Sequence, residues 1–172
     1  MSSIPQSRLY LDRFLPVVLT SPYIVREMLQ LAQVGREDVV YDLGSGDGRI
    51  LIAAVKEFGA KKAIGYETNE DFYQASLSEI KHQDLQEKIT VIKGDLFKAD
   101  ISEASVIALY LSPEAIKLVT PKLEKEANYG TRIVSRGFEI NKWQPIKVKN
   151  LTYSTGNPSR PIYLYTIPES LK

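Results

Sequence analysis

Val39-Val40-Tyr41-Asp42-Leu43-Gly44-Ser45-Gly46-Asp47-Gly48-Arg49 is the stretch that decides the fold of this chain. An apolar run enters three alternating glycines and leaves directly into a helical pattern from Arg49 to Phe58, so the glycines form a strand-to-helix turn. Glycines at such a turn let the backbone approach a bound molecule, and free N–H groups of the following helix face the same point. The stretch therefore predicts a ligand at the end of the first strand of an α/β fold.

Spacing and charge narrow the ligand. A pyrophosphate-binding loop reads Gly-x-Gly-x-x-Gly, whereas this one reads Gly-x-Gly-x-Gly with carboxylates at Asp42 and Asp47. Two acids at close range repel a pyrophosphate and suit a ligand that carries an ammonium and a sulfonium. S-adenosylmethionine is such a ligand, and the run Val39 to Gly48 resembles the first signature of the class I S-adenosylmethionine-dependent methyltransferases. The resemblance implies cofactor contacts at Asp42, Leu43, Gly44, Ser45 and Gly46.

The rest of the chain agrees in order. A second strand, Lys61 to Tyr66, ends in Glu67 and Thr68, roughly 20 residues past the glycines, where α/β nucleotide-binding folds place the carboxylate for the ribose hydroxyls. Glu67 is the predicted ribose ligand, with Thr68 beside it. A third strand, Ile89 to Lys93, runs into Gly94-Asp95-Leu96-Phe97, which resembles the family's adenine site. Asp95 is then expected to accept from the exocyclic amine and Leu96 to cover the ring.

Around these motifs the chain alternates strands and helices. Ser21-Pro22 is an N-cap with proline at the first helical position, and Ile24, Val25, Met28, Leu29 and Ala32 form one apolar stripe. Asn69-Glu70-Asp71 caps the helix that carries Phe72, Tyr73, Ser76, Leu77 and Ile80 inward. Ala104 to Leu111 reads as a central strand buried on both faces. Ser112-Pro113-Glu114 and Thr120-Pro121-Lys122 predict two separate helix starts, the second helix ending at Asn128-Tyr129-Gly130, before a strand at Thr131 to Ser135. Ile146 to Tyr153 and Pro161 to Ile167 are β-rich segments separated by a connection too short for a helical crossover, hence an antiparallel hairpin. The expected fold is α/β: a doubly wound, mostly parallel seven-stranded sheet, helices on both faces and the hairpin at its C-terminal end. Residues 1–16 read as an N-terminal arm and 17–172 as one domain.

Composition excludes several function classes. At 172 residues the chain has the length of one domain with a sizeable core. It has no Cys, which removes thiolate mechanisms, and its single histidine, His82, reads as a surface residue at a helix end; no metal site is predicted. With 22 basic and 21 acidic residues the net charge is +1, so no strong field gathers nucleic acid. No apolar run reaches the about 18 residues of a membrane span, and no signal-peptide core opens the chain, so a cytoplasmic protein is expected.

Across Thr20 to Pro145 the chain resembles more specifically the small archaeal protein lysine methyltransferases, their bacterial relatives and the mitochondrial lysine methyltransferases. Val40 to Ile50, Pro121-Lys122-Leu123-Glu124-Lys125-Glu126, Gly130 to Ser135, Phe138-Glu139-Ile140 and Trp143-Gln144-Pro145 carry this resemblance. It departs at Val17-Val18-Leu19-Thr20-Ser21, where the family has a Tyr-Val-Pro-Thr-Pro-like segment and only Thr20 matches. That segment is expected to cover the methionine end of the cofactor, which makes Thr20 a cofactor contact. The acceptor is expected at Tyr110-Leu111-Ser112-Pro113, with Tyr110 and Leu111 lining the site of transfer and Tyr110 touching the cofactor. Tyr110 reads equally as packing, Trp143 as a lid over the core, and Arg132 and Arg136 as partners of Glu126 or Glu139. The implied partner is a protein substrate presenting lysine; an RNA or small-molecule methyltransferase, and a noncatalytic nucleotide-binding module, are the alternatives.

Overall fold

The structure, a computed structural model, describes residues 20–153 and 155–171. The arm at 1–16 and the family departure at Val17–Leu19 lie outside these residues. From Thr20 onward the chain forms α1 (Pro22–Leu31), β1 (Val39–Leu43), α2 (Arg49–Lys56), β2 (Lys62–Glu67), α3 (Glu70–His82), β3 (Ile89–Lys93), a 3-10 turn at Leu96–Lys98, β4 (Val106–Leu109), α4 (Pro113–Glu126), β5 (Arg132–Arg136), β6 (Lys147–Thr152) and β7 (Pro158–Thr166).

All seven strands form one sheet in the order β3-β2-β1-β4-β5-β7-β6. The first five are parallel, and β7 runs antiparallel to both of its neighbours, β5 and β6. The chain leaves β5 for the outer edge, lays down β6 there, and returns to insert β7 between β6 and β5.

Alternation along the strands sends side chains to two cores. Val40, Ala63, Ala108 and Val134 face α1, α2 and α3. Tyr41, Leu43, Ile64, Ile107, Leu109 and Ile133 face α4, the 3-10 turn and the Ile140–Trp143 segment. Trp143 is buried there, edge-on to Tyr165 at 5.8 Å between centroids, and its indole N–H donates to Glu124 at 2.9 Å. It is the lid the sequence predicts.

The caps form as expected. Ser21 Oγ accepts from Ile24 N at 3.3 Å, Asn69 Oδ1 from Phe72 N at 3.1 Å, and Ser112 Oγ from Ala115 N at 3.2 Å. One expectation fails: Thr120-Pro121 starts no new helix, and α4 runs through it. Ile116, Val119 and Leu123 form one buried stripe across the proline, whose ring lies on the exposed side, and Thr120 Oγ1 donates to Ile116 O at 2.6 Å. Burial of that stripe outweighs the missing N–H.

Candidate functional site

The glycine turn is built from the ends of β1 and β2. Gly44, Gly46 and Gly48 all have positive φ (94°, 54° and 82°), which side chains resist. Gly44 N and Ser45 N both donate to Tyr66 O at 3.0 Å, tying the turn to the last residues of β2. Nothing lies within 4 Å of where a Cβ on Gly46 would stand, so at that residue the turn opens onto free space, the kind of cradle a bound ligand fills.

Three predicted acids converge here. Glu67 is 4 % exposed, and its Oε2 accepts from Gly46 N at 2.7 Å while Oε1 accepts from Asn69 N at 2.8 Å. It thus braces the turn directly, and each oxygen keeps a further lone pair for a ligand. Asp42 is 2 % exposed; burial, then the charges of Glu67 and Asp47, push its carboxyl well above the usual carboxylate range. Asp47 behaves differently: Arg49 chelates it through Nε–Oδ1 at 2.9 Å and Nη2–Oδ2 at 2.6 Å. Asp47 therefore contributes less field at the turn than the sequence suggests. The same guanidinium donates through Nη1 to Thr20 O at 2.7 Å, fixing the entry of the chain next to the turn. Not all N–H groups at the helix start are free, since Gly48 N donates to Ser45 O and Arg49 N to Asp47 Oδ1.

At the end of β3, Asp95 caps the 3-10 turn through Phe97 N at 2.9 Å. Leu96 is only 3 % exposed, in one core cluster with Tyr41, Leu43 and Ile64, which leaves little of its side chain at the surface. Its N–H has no partner among the described residues and is what that position offers. Leu43 and Leu111 are likewise fully buried, so they present main chain only. Tyr110 and Thr68 are half-buried beside the turn's open side. No hydrogen bond among the described residues uses the Tyr110 or Leu111 carbonyl.

Two residues at this site escape the sequence reading. Gly65, inside β2, lies where a Cβ would come within 2.6 Å of both Leu51 Cδ1 and Ser45 Oγ, so the glycine turn and α2 close over β2 only because that position is bare. A glycine interrupting a strand pattern was the available signal. Arg49 is the other, the link between Asp47 and Thr20. Arg132 pairs with Asp38 and donates to Ala32 O, not to Glu126.

Comparison with known proteins agrees with this geometry. The ANTKMT methyltransferase domain matches residues 42–147. A protein-lysine N-methyltransferase of Saccharolobus islandicus is 43% identical over 90% of this chain and 94% of its own. The adenine nucleotide translocase lysine N-methyltransferase of Mus musculus is 31% identical over 79% of this chain, which spans 61% of that protein. A solved structure titled an RNA methyltransferase from Salinibacter ruber, in complex with S-adenosyl-L-homocysteine, superposes with a TM-score of 0.82 at 38% identity over 90% of this chain and 97% of that one. The protein is an S-adenosylmethionine-dependent methyltransferase with the seven-stranded fold of that class. Within it, the chain belongs to the family defined by the ANTKMT methyltransferase domain.

Proposed function

We propose that the chain transfers methyl groups to lysine side chains of proteins, with little dependence on surrounding sequence. What carries this reading is the 43% identity to a protein-lysine N-methyltransferase over nearly the whole of both chains. The acceptor side supports it. Among the described residues the Tyr110–Glu114 turn and the Arg136–Pro145 segment border that side, and an extended lysine needs no further enclosure.

In this reading Asp42 faces the ammonium and sulfonium end, Gly44, Ser45, Gly46 and Thr20 border the methionine portion, Glu67 with Thr68 holds the ribose hydroxyls, and Asp95 and the Leu96 N–H meet the adenine. The cofactor supplies a methyl group on a positively charged sulfur, and the leaving thioether needs no acid. The chain's task is to hold a neutral amine with its lone pair about 3 Å from the methyl carbon. Tyr110 and Leu111 carbonyls accept the amine's hydrogens and orient it, and partial dehydration there favours the uncharged form. A cytoplasmic setting accords with the chain's lack of cysteine.

Labelled cofactor incubated with mixed proteins, RNA and free metabolites, followed by peptide mapping, tests the proposal. Label on protein lysines is the expected result. Label on RNA or on a metabolite, with every lysine unmodified, overturns it.

A further inference from the structure

The strand β7 is longer than the partner it lies against. Ile162–Thr166 pair with β5, ending at Arg136↔Ile162, while Pro158–Arg160 continue past that pair beside Leu151 and Thr152 of β6. The β6–β7 hairpin therefore overhangs the C-terminal edge of the parallel strands, the edge that carries the glycine turn. Leu109 and Ser135 are in register, so Arg136 stands level with Tyr110 one strand away, about 5 Å between backbones.

On this overhang the chain holds a cation in place. Gly137 has φ +89°, and a Cβ there would lie 3.2 Å from Arg160 Cδ, so the Arg160 stem crosses the main chain where a side chain would crowd it. The Arg160 guanidinium lies over the Phe138 ring, 4.6 Å from its centroid. Arg136, 5 % exposed, donates to Arg160 O and, at 2.8 Å, to Ser159 Oγ, gripping the strand that bears Arg160. The hydrogen bond with Ser159, then these two arginines, hold the nearby Tyr153 hydroxyl below its ordinary pKa.

Among the described residues no acid pairs with this charge. Among the described residues neither Arg136 nor Arg160 has a carboxylate within salt-bridge distance, whereas Arg26, Arg49 and Arg132 each do. Across the sheet, Arg136, Ile162 and Lys149 are register partners, and of the row's two cations Lys149 is the one with an acid, Glu27. Arg136 is buried and already donates to Arg160 O and Ser159 Oγ, so the exposed, stacked guanidinium of Arg160 is the cation left to meet a carboxylate arriving from outside.

We infer that Arg160, stacked on Phe138 and held by the positioning residue Arg136, docks an acidic side chain of the protein substrate that lies close to the acceptor lysine. The inference rests on the lysine reading above. The shared chemistry, a carboxylate, is also present on the cofactor, and the test separates the two sources.

Full-length enzyme and the variants R160E and R160K are assayed on peptides with one lysine and a single Glu, or Gln, placed at each position within four residues of it. Cofactor affinity is measured in parallel by calorimetry. For the parent, the Glu-to-Gln ratio of kcat/KM should reach about five-fold at the best position, the upper range of an exposed ion pair. R160E should invert that ratio and R160K retain part of it, with one cofactor Kd throughout. A ratio near one in the parent, or the same ratio in R160E, overturns the inference. Lost cofactor binding in the variants also overturns it, by assigning the cation to the cofactor's carboxylate. Failure of the lysine reading shows separately, as a parent enzyme that labels none of the peptides, and removes this inference with it.

Discussion

The C-terminal edge of the sheet is built in two contrasting halves. Over β1, β2 and β3 several polar groups are already engaged: Glu67 holds Gly46 and Asn69, Tyr66 O holds two turn amides, and Asp95 caps its own turn. Over β4, β5 and β7 less is engaged: among the described residues the carbonyls of Tyr110 and Leu111 have no hydrogen-bond partner and the cation of Arg160, stacked on Phe138, has no carboxylate partner. A cofactor that is the same at every turnover suits a preorganised site, because nothing need be reordered when it binds. A lysine presented by varied proteins suits a rim of main-chain acceptors that bind the amine itself, with Arg160 adding a modest preference for an acidic neighbour. The contrast is between a half that is fixed before binding and a half that the substrate completes.

The largest expected effect tests the fixed half at Asp42. Asp42→Asn keeps the shape and removes the charge, and we expect methyl transfer to fall below detection. The same variant should show an opposite effect on the free protein. Asp42 holds its proton to higher pH when folded than when unfolded, so between those two values the native state binds more protons and stability falls as pH rises. Asp42→Asn removes that loss, so its melting temperature without cofactor should exceed the parent's increasingly toward high pH. A cation beside Asp42 favours the ionised form, so binding should expel a proton from the parent and tighten as pH rises through the same window. Calorimetry in buffers of different ionisation enthalpy reads that proton directly. No proton release, with wild-type turnover in the variant, would show that Asp42 does not face the cationic end.

Next in size are the two strand-end acids. Glu67→Ala and Asp95→Ala should each weaken cofactor binding by about 1–3 kcal/mol, the usual result of leaving a buried partner unpaired. The structure separates them. Glu67 also braces Gly46, so its loss should increase hydrogen exchange at the glycine turn, whereas loss of Asp95 should leave the turn protected. Gly65→Ala should cost about 1–3 kcal/mol of stability through overlap with Leu51 and Ser45. A Gly65→Ala protein that melts like the parent would mean that the turn is not clamped to β2.

The contrast also explains how much could be read from the chain. The fixed half was legible because its chemistry sits in short, contiguous patterns at strand ends: Asp42 to Gly48, Glu67, and Gly94 to Leu96. The sheet and its antiparallel end followed from periodicity. What sequence could not reveal depends on distant partners. Gly65 matters only because Leu51 and Ser45 fold over it, and Arg49 because Thr20 O lies within its reach. The burial of Leu96 in the core beside Tyr41, Leu43 and Ile64 is a tertiary fact that no local pattern shows. Likewise Pro121 signals a helix start locally, and only the buried stripe Ile116, Val119 and Leu123 overrules it.

The smallest expected effect lies in the other half, at Tyr110. If that rim works through carbonyls, the Tyr110 hydroxyl contributes little, and Tyr110→Phe should hold kcat/KM within about two-fold, a difference of roughly 0.4 kcal/mol. The ring remains to exclude water, so the amine is still dehydrated. Both parent and variant should then gain rate from about pH 7 to 9, as more of the acceptor lysine is uncharged at the moment of transfer. A loss of a hundred-fold or more in Tyr110→Phe, or a pH profile that changes shape when the hydroxyl is removed, would place a proton acceptor on that side chain. The acceptor half would then be as preorganised as the cofactor half, and the difference between them would disappear.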